Sequence, residues 1–241
     1  MSEPAPLSCI TCEGRTRNEW CTLRDDELAR LDLARTHATF APGEPVFEQG
    51  AACEAIHCVE AGLVALRRRD ARGGGPPRGL IVGLAHANET LGYAALFSGR
   101  RHQVTAEALV ETRVCTIARG TLEALITENP ALAGRFLRRL ARDVDASEQE
   151  RLDAIALPAR ARLAQLLLDL ADRYGRLGAS GALELELPLA RRDLADLLGI
   201  RAESLARAVR ALSDAGRCAF AGRLVTIPSV EHLAVELTAG A

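Results

Sequence analysis

The sequence predicts an α+β chain in two unlike halves, and three observations predict it. Short apolar runs separated by turn residues fill the stretch from Thr39 to Ile117, the mark of an antiparallel β-sandwich or roll. From Thr121 the apolar period becomes helical and stays so for about 35 residues. Beyond Pro158 the helical pattern resumes and ends in a helix–Gly–helix segment followed by a small hairpin.

Taken in order, "APGEPVFEQG" brackets Val46 and Phe47 with Pro and Gly. "AIHCVEAGLVALRRRD" alternates apolar and polar residues around a Glu60-Ala61-Gly62 turn, the pattern of a hairpin. "ARGGGPPRG" is a loop, because consecutive Gly and Pro interrupt helix and strand alike, and "GLIVGLA" and "VCTIAR" are further strands. In the helical stretch Pro130 suits the first turn of the longest segment, and Pro158 ends it. "ARARLAQLLLDLADRYG" is then an amphipathic helix, and "LGASGALELELPL" a turn and a strand. "ARRDLADLLGIRAESLARAVRALSDAG" is two helices joined by Gly199-Ile200-Arg201, and "RCAFAGRLVTIP" a hairpin turning at Ala221-Gly222. Four segments result: 1–22, rich in cysteine; 23–120, the β half; 121–157, the long helix; and 158–241, the second helical half.

At 241 residues, 48% hydrophobic and 26% charged, the chain has material for real cores. No run of 18 apolar residues spans a membrane, and no basic-then-apolar export signal opens the chain, so a cytoplasmic protein is expected. Thiols stay reduced there, and seven cysteines, an odd count, do not suggest a disulfide framework. Every basic residue is Arg, which fits a biased composition. The net charge of −2 leaves any DNA contact to a local patch. No Gly-rich phosphate loop, G-x-S-x-G elbow or paired-carboxylate constellation occurs, so an enzyme is not expected.

Two helical faces carry information. Along the long helix Leu137, Leu140, Val144, Leu152 and Ile155 form a narrow apolar stripe, suited to a copy of itself in a homodimer. Glu148 sits in the gap of that stripe, where a parallel pair would bring two carboxylates together; the alternative is that it faces solvent. In the helix–Gly–helix segment Leu194, Leu198, Leu205 and Leu212 supply the buried side, leaving Glu203, Ala206, Arg207 and Arg210 on the open face. Glu203 and Arg207 are four apart and so lie one above the other. Arg suits guanine O6/N7 and Glu suits cytosine N4 in a major groove. Arg191, Arg192, Ser204, Arg210 and Arg223 surround them and are candidates for phosphate contacts, which position without specifying sequence.

In that order, these elements resemble the CRP/FNR family of bacterial transcription regulators over nearly the whole chain. "LGIRAESLARAVRAL" is similar to the family's recognition helix, with Glu203 and Arg207 at the Glu and Arg of E-x-x-S/G-R and Ala206 at the Ser/Gly position. "ETLGYAALFSGRRHQVTAEALVETRVCTI" is similar to the stretch that crosses the β half in the FNR branch. The resemblance implies a cyclic-nucleotide-binding-type antiparallel β-roll, a long dimerisation helix and a C-terminal winged helix-turn-helix. It implies a homodimer on double-stranded DNA with a palindromic operator, and RNA polymerase as a partner. Where the cyclic-AMP branch has Gly-Glu-Leu and Arg-Ser/Thr-Ala segments, this chain reads "NETLGY" and "RHQVTAEA", so a cyclic nucleotide is not expected.

The FNR branch resembles an oxygen sensor with a [4Fe–4S] cluster held by an N-terminal cysteine group and one cysteine in the roll. By that resemblance the ligands here are Cys9, Cys12, Cys21 and Cys115, and oxygen or nitric oxide gates operator binding through cluster loss. Eight residues separate Cys12 from Cys21, longer than is usual in that branch. Cys53, Cys58 and Cys218 are expected to be packing residues. Zinc on the same thiols remains an alternative, as does haem on His57, His86 or His102.

Overall fold

The computed structural model describes residues 8–12, 15, 18–69, 79–178 and 181–237; most of the Gly-Pro loop after Arg69 lies outside them. The chain divides into two compact units, Met1–Asp145 and Ala146–Ala241. The division falls inside one helix.

In the N-terminal unit two four-stranded antiparallel sheets are formed. The first has the order β1 (Thr36–Phe40), β8 (Thr112–Ala118), β3 (Ala55–Ala61), β6 (Thr90–Leu91). The second runs β2 (Pro45–Phe47), β7 (Thr105–Ala108), β4 (Leu63–Arg68), β5 (Leu80–His86). The Glu60-Ala61-Gly62 turn is therefore not a hairpin. β3 and β4 belong to different sheets, and Gly62 is the corner at which the chain changes sheet. Its φ is +106°, and a Cβ there would sit 2.4 Å from Thr112 Oγ1 and 2.8 Å from the Glu111 carbonyl. Only glycine fits that approach.

Helices cover the open side of the first sheet. α1 (Asp25–Ala34) opens with three acidic residues, which suit a helix N-terminus, and the Glu27 carboxylate accepts the Arg24 backbone N–H at 2.8 Å. α1 contributes Leu28 and Leu31 to a core shared with Ile56, Ile117, Leu122 of α3 (Arg119–Glu128) and Phe136 of α4 (Pro130–Ala156). The short α2 (Tyr93–Phe97) follows Gly92, whose φ is +85°. Pro130 stands first in α4, as its fixed φ favours.

The C-terminal unit begins within α4 and continues with α5 (Ala159–Tyr174), whose Ala161, Leu163, Ala164, Leu167 and Leu170 are buried. A four-stranded sheet is ordered β11 (Ala219–Ala221), β12 (Leu224–Ile227), β10 (Leu183–Glu186), β9 (Arg176–Leu177). α6 (Arg191–Leu197) and α7 (Ala202–Asp214) are joined through Gly199, at φ +58°. Arg162 donates to the Leu198 carbonyl at 2.6 Å, satisfying one of the open acceptors at the end of α6. α8 (Val230–Ala234) and a short 3₁₀ turn close the described chain, with Glu236 buried between Arg160 (3.3 Å) and Arg217 (3.1 Å). Among the described residues no helix is long and apolar enough to cross a membrane.

Candidate functional site

A pocket of about 490 Å³, partly open to solvent, lies in the N-terminal unit between the first described residues, α1 and the first sheet. Cys9, Cys12, Cys58 and Cys115 line it, with Trp20, Leu28, Leu31, Val59 and Ile117 as its apolar walls. Cys115 is the shared neighbour. It lies opposite Cys58 in the antiparallel register of β8 and β3, where paired side chains leave the sheet on the same face. Burial raises the pKa of Cys115, against the pull of Arg35, and the charge of Cys12 adds to the rise. Cys9 is pushed up to about 12, first by burial, with Arg35 opposing and Cys115 and Asp32 adding. Cys58 is raised too, by burial and then by Cys115.

Polar groups hold this arrangement from outside. The Asp32 carboxylate accepts the Ser8 hydroxyl at 2.9 Å, the Cys9 backbone N–H at 2.7 Å and Arg35 Nε at 2.8 Å. Burial works against its ionisation, but these bonds keep its pKa below the usual carboxylate range. Arg35 also reaches Glu60 at 3.1 Å and lines the pocket with the thiols. The cysteine-bearing segment is thus tied to α1.

Cys21 is elsewhere. It lies exposed on the 3₁₀ turn Glu19–Thr22 and does not line the pocket. Its neighbour Trp20 is the reason: that ring turns inward, 5% exposed, and packs edge-on against Phe136 at 5.7 Å. Cys53 is a packing residue, 2% exposed, its thiol donating to the Ala55 and Gly92 carbonyls, and Cys218 is 2% exposed at the start of the hairpin. Cys58, expected to pack as they do, is packed against the core that holds Cys53 and also lines the pocket, opposite Cys115 in the β3–β8 pairing, a neighbour that periodicity does not supply. Among the described residues no three Cys, His, Asp or Glu side chains already converge closely enough to hold a single metal ion; the four thiols stand around the pocket walls.

The same segment is bolted to α4. Arg135 donates to the Asn18 carbonyl at 3.1 Å, Asn129 donates to the Thr22 carbonyl at 3.0 Å, and Arg139 lies 3.7 Å from the buried Glu19. Glu19 accepts the Thr90 hydroxyl at 3.0 Å, and Thr90 is 3.7 Å from the Cys58 sulfur. Arg139 continues to Asp143 at 3.0 Å, and the Tyr93 hydroxyl donates to the same carboxylate. Further along α4, Leu137, Val144, Leu152 and Ile155 are exposed, as is Glu148, while Leu140 is half-buried against the core.

The haem candidates are packed differently. His102 stacks on Phe47 at 3.9 Å between centroids, and His57 packs against the same ring while bonding Thr116 at 3.0 Å. Burial, then the neighbouring His102, lowers His57 to about 4, and burial lowers His102 as well. His86 is half-buried on β5.

In the C-terminal unit α7 buries Leu205, Ala208 and Leu212 and exposes Glu203, Ala206, Arg207 and Arg210. Arg207 Nη2 donates to the half-buried Ser204 hydroxyl at 3.0 Å. Arg191 lies over the Phe220 ring at 4.6 Å, joining the start of α6 to β11, and Arg223 Nε donates to the Leu187 carbonyl at 2.8 Å. Arg192 is exposed. A helix of this kind, braced from behind and carrying Glu and Arg one turn apart, presents the chemistry that reads base edges.

Comparison with known proteins agrees with this division of labour. The family described as "Cyclic nucleotide-binding domain" matches residues 37–129, and "Crp-like helix-turn-helix domain" matches residues 161–235. Electron transport regulator A of Shewanella oneidensis is 26% identical over 97% of this chain and 91% of its own length. A CRP-like cAMP-activated global transcriptional regulator of Mycobacterium tuberculosis is 26% identical over 86% of this chain and 88% of its own length. The structure of FixK2 from Bradyrhizobium japonicum superposes with a TM-score of 0.72 at 25% identity, over 86% of this chain and 99% of that one. With a matched sensor module, a matched helix-turn-helix and relatives that align along nearly its full length, the chain belongs to the CRP/FNR family of DNA-binding transcription regulators, which are not enzymes.

Proposed function

We propose that this regulator is a homodimer whose operator binding is gated by an oxygen- or nitric-oxide-labile [4Fe–4S] cluster. The observation that carries the reading is one pocket lined by Cys9, Cys12 and Cys115, thiols about a hundred residues apart in sequence. The donor chemistry suits the group: soft thiols, apolar walls and a nearby arginine are what an iron–sulfur site needs. When bound, such a cluster supplies a redox centre that oxygen or nitric oxide destroys. Cys9, Cys12 and Cys115 would hold it, and the family resemblance makes Cys21 the fourth.

The protein's own part is transmission. Holding Cys9 and Cys12 against β8 bears on residues 18–20 further along the chain. These meet α4 through Asn18–Arg135, Glu19–Arg139 and Trp20–Phe136. α4 then presents its exposed stripe, with Leu137, Val144, Leu152 and Ile155, to a second copy. Pairing sets two α7 helices on half-sites of a palindromic operator about 34 Å apart. Glu203 and Arg207 read bases, Ala206 offers only a methyl contact, and Arg191, Arg192, Ser204, Arg210 and Arg223 meet the backbone. Such a protein works in the cytoplasm with RNA polymerase as its partner. A shift between nearly all monomer and nearly all dimer takes about 5.5 kcal/mol of difference between the two states.

Anaerobic purification tests the reading. Iron and acid-labile sulfide in equal amounts, with a brown colour that bleaches in air as operator affinity falls, support it. A sharp Soret band assigns haem instead, and colourless zinc-bearing protein assigns a structural metal.

A further inference from the structure

We infer that the buried Glu236 is the positioning residue of the DNA-reading helix. It clasps Arg160 at the head of α5 and Arg217 just beyond α7, and so fixes α7 against the point where the long helix ends. The inference rests on the helix-turn-helix and is independent of the cysteine pocket and of what that pocket holds.

Glu236 lies on the 3₁₀ turn Val235–Leu237 and is 6% exposed. One carboxylate oxygen accepts Arg217 Nε at 3.1 Å, and the other is 3.3 Å from Arg160 Nε. The two arginines serve different parts of the unit. Arg160 stands on the first turn of α5, just after Pro158 and the end of α4 at Ala156. Arg217 is tied to the last turn of α7: its N–H donates to the Leu212 carbonyl at 2.9 Å, across Gly216 at φ +66°. Cys218, next in sequence, is buried at the root of the β11–β12 hairpin. Glu236 therefore joins the junction of α4 and α5 to the place where the reading helix passes into that hairpin.

What such a group does follows from its energetics. Burying charges costs about as much as their attraction returns, so a buried ion pair adds little stability over apolar packing of the same volume. It is directional, however, whereas apolar contacts let a helix slide or roll. A carboxylate shared by two planar guanidiniums restricts the elements that carry them to one arrangement. The same turn of α5 makes a second tie, since Arg162 donates to the Leu198 carbonyl at the end of α6. The head of α5 thus holds α6 through Arg162, and α7 through Arg160 and Glu236. Base edges must be met at hydrogen-bond distance, so a small roll of α7 would take Glu203 and Arg207 out of register. Phosphates, reached by long side chains from several directions, are more forgiving. Loss of the clasp should cost sequence discrimination before it costs adhesion.

The test compares the full-length wild type with Glu236→Gln, Arg160→Gln, Arg217→Gln, the Glu236→Gln/Arg217→Gln pair and Arg207→Ala, all prepared alike without oxygen. Each is bound to a duplex that the wild type has selected from a random pool, and to a scrambled duplex of equal length. The readout is the ratio of the two affinities. Partial unfolding lowers both affinities together and leaves the ratio unchanged, whereas a misplaced α7 lowers it. Glu236→Gln keeps the side-chain shape and removes its charge. It should reduce the ratio about fivefold or more, as loss of one base contact would, with affinity for the scrambled duplex retained. Because both residues act through one clasp, the double variant should lose no more in ratio than the larger single loss. Arg160 is partly exposed, so Arg160→Gln answers the question should Glu236→Gln fail to fold, and it too should lower the ratio. An unchanged ratio in folded Glu236→Gln, or in Arg160→Gln where the first does not fold, overturns the inference. Fully additive losses in the double variant overturn it as well. If Arg207→Ala also leaves the ratio unchanged, α7 does not read bases and that assignment falls too. A wild type that selects no sequence removes DNA reading itself, and the inference with it.

Discussion

In the C-terminal unit the side chains proposed to read DNA come from one helix face, with Glu203 and Arg207 a single turn apart and exposed. In the N-terminal unit the pocket thiols come from the N-terminal segment, β3 and β8, and line one pocket only because two strands pair and α1 holds the Cys9 backbone. The first site is a surface pattern laid over a self-sufficient helix pair. The second is a product of tertiary packing, and its members have no local relation in sequence. Damage should therefore behave differently: in the DNA-reading face it removes contacts one at a time, and in the sensor it disturbs a connected assembly.

The largest effect should come from Cys115→Ser. Cys115 lies opposite Cys58 and lines the same pocket as Cys9 and Cys12, so metal loading should be abolished while Arg207-dependent DNA contacts remain chemically intact. Iron and sulfide content, with the spectrum, check the first half; operator binding at high protein concentration checks the second. Retained loading would remove Cys115 from the site.

Next in size is Phe136→Ala. Phe136 is 1% exposed and contacts Trp20, Tyr93 and Phe97. Truncating a buried Phe costs about 3–5 kcal/mol. Thermal unfolding should show that loss in the N-terminal unit. Because Trp20 is the chain's single tryptophan, its emission should shift to the red as the ring meets water. An unshifted spectrum would mean that Trp20 does not depend on α4 for its burial.

The same contrast governs what the sequence discloses. The period change near Thr121, the break at Pro158 and the helix–Gly–helix segment are local, so the helical elements and the open face of α7 are legible from spacing alone. The fold order follows once the short β runs precede them. The corner at Gly62 is not legible, because alternation on both sides of a turn looks the same whether the strands pair or enter separate sheets. The pairing of Cys58 with Cys115 is hidden for the same reason, since the two stand 57 positions apart. The outward setting of Cys21 depends on Trp20 finding Phe136, another contact that no local pattern encodes.

Two arginines separate specificity from adhesion in the C-terminal unit. Arg207→Ala should cost about 1–3 kcal/mol per half-site and relax base preference, as footprinting on operator variants would show. Arg192→Ala should weaken all sequences alike and reduce the slope of log affinity against log salt by about 1 per protomer. If the two variants give the same salt slope and the same base preference, the division into reading and positioning residues is wrong.

The smallest effect is at Glu148, where the two units share a helix. Leu140, Val144, Glu148 and Leu152 follow one another at four-residue steps, so they lie along one inclined row of α4. Glu148 is exposed in the single chain. In a parallel pair it would face its own copy, and two like charges at helix-neighbour range oppose each other by about 0.2–0.5 kcal/mol. Glu148→Gln keeps the shape of the side chain and removes the charge. It should tighten dimerisation of the metal-free chain by roughly twofold at low salt, measured by sedimentation. The gain should vanish as salt shortens the Debye length to about 3 Å near 1 M. A gain that persists at high salt would come from packing, and no gain at any salt would place Glu148 in solvent, away from the partner helix.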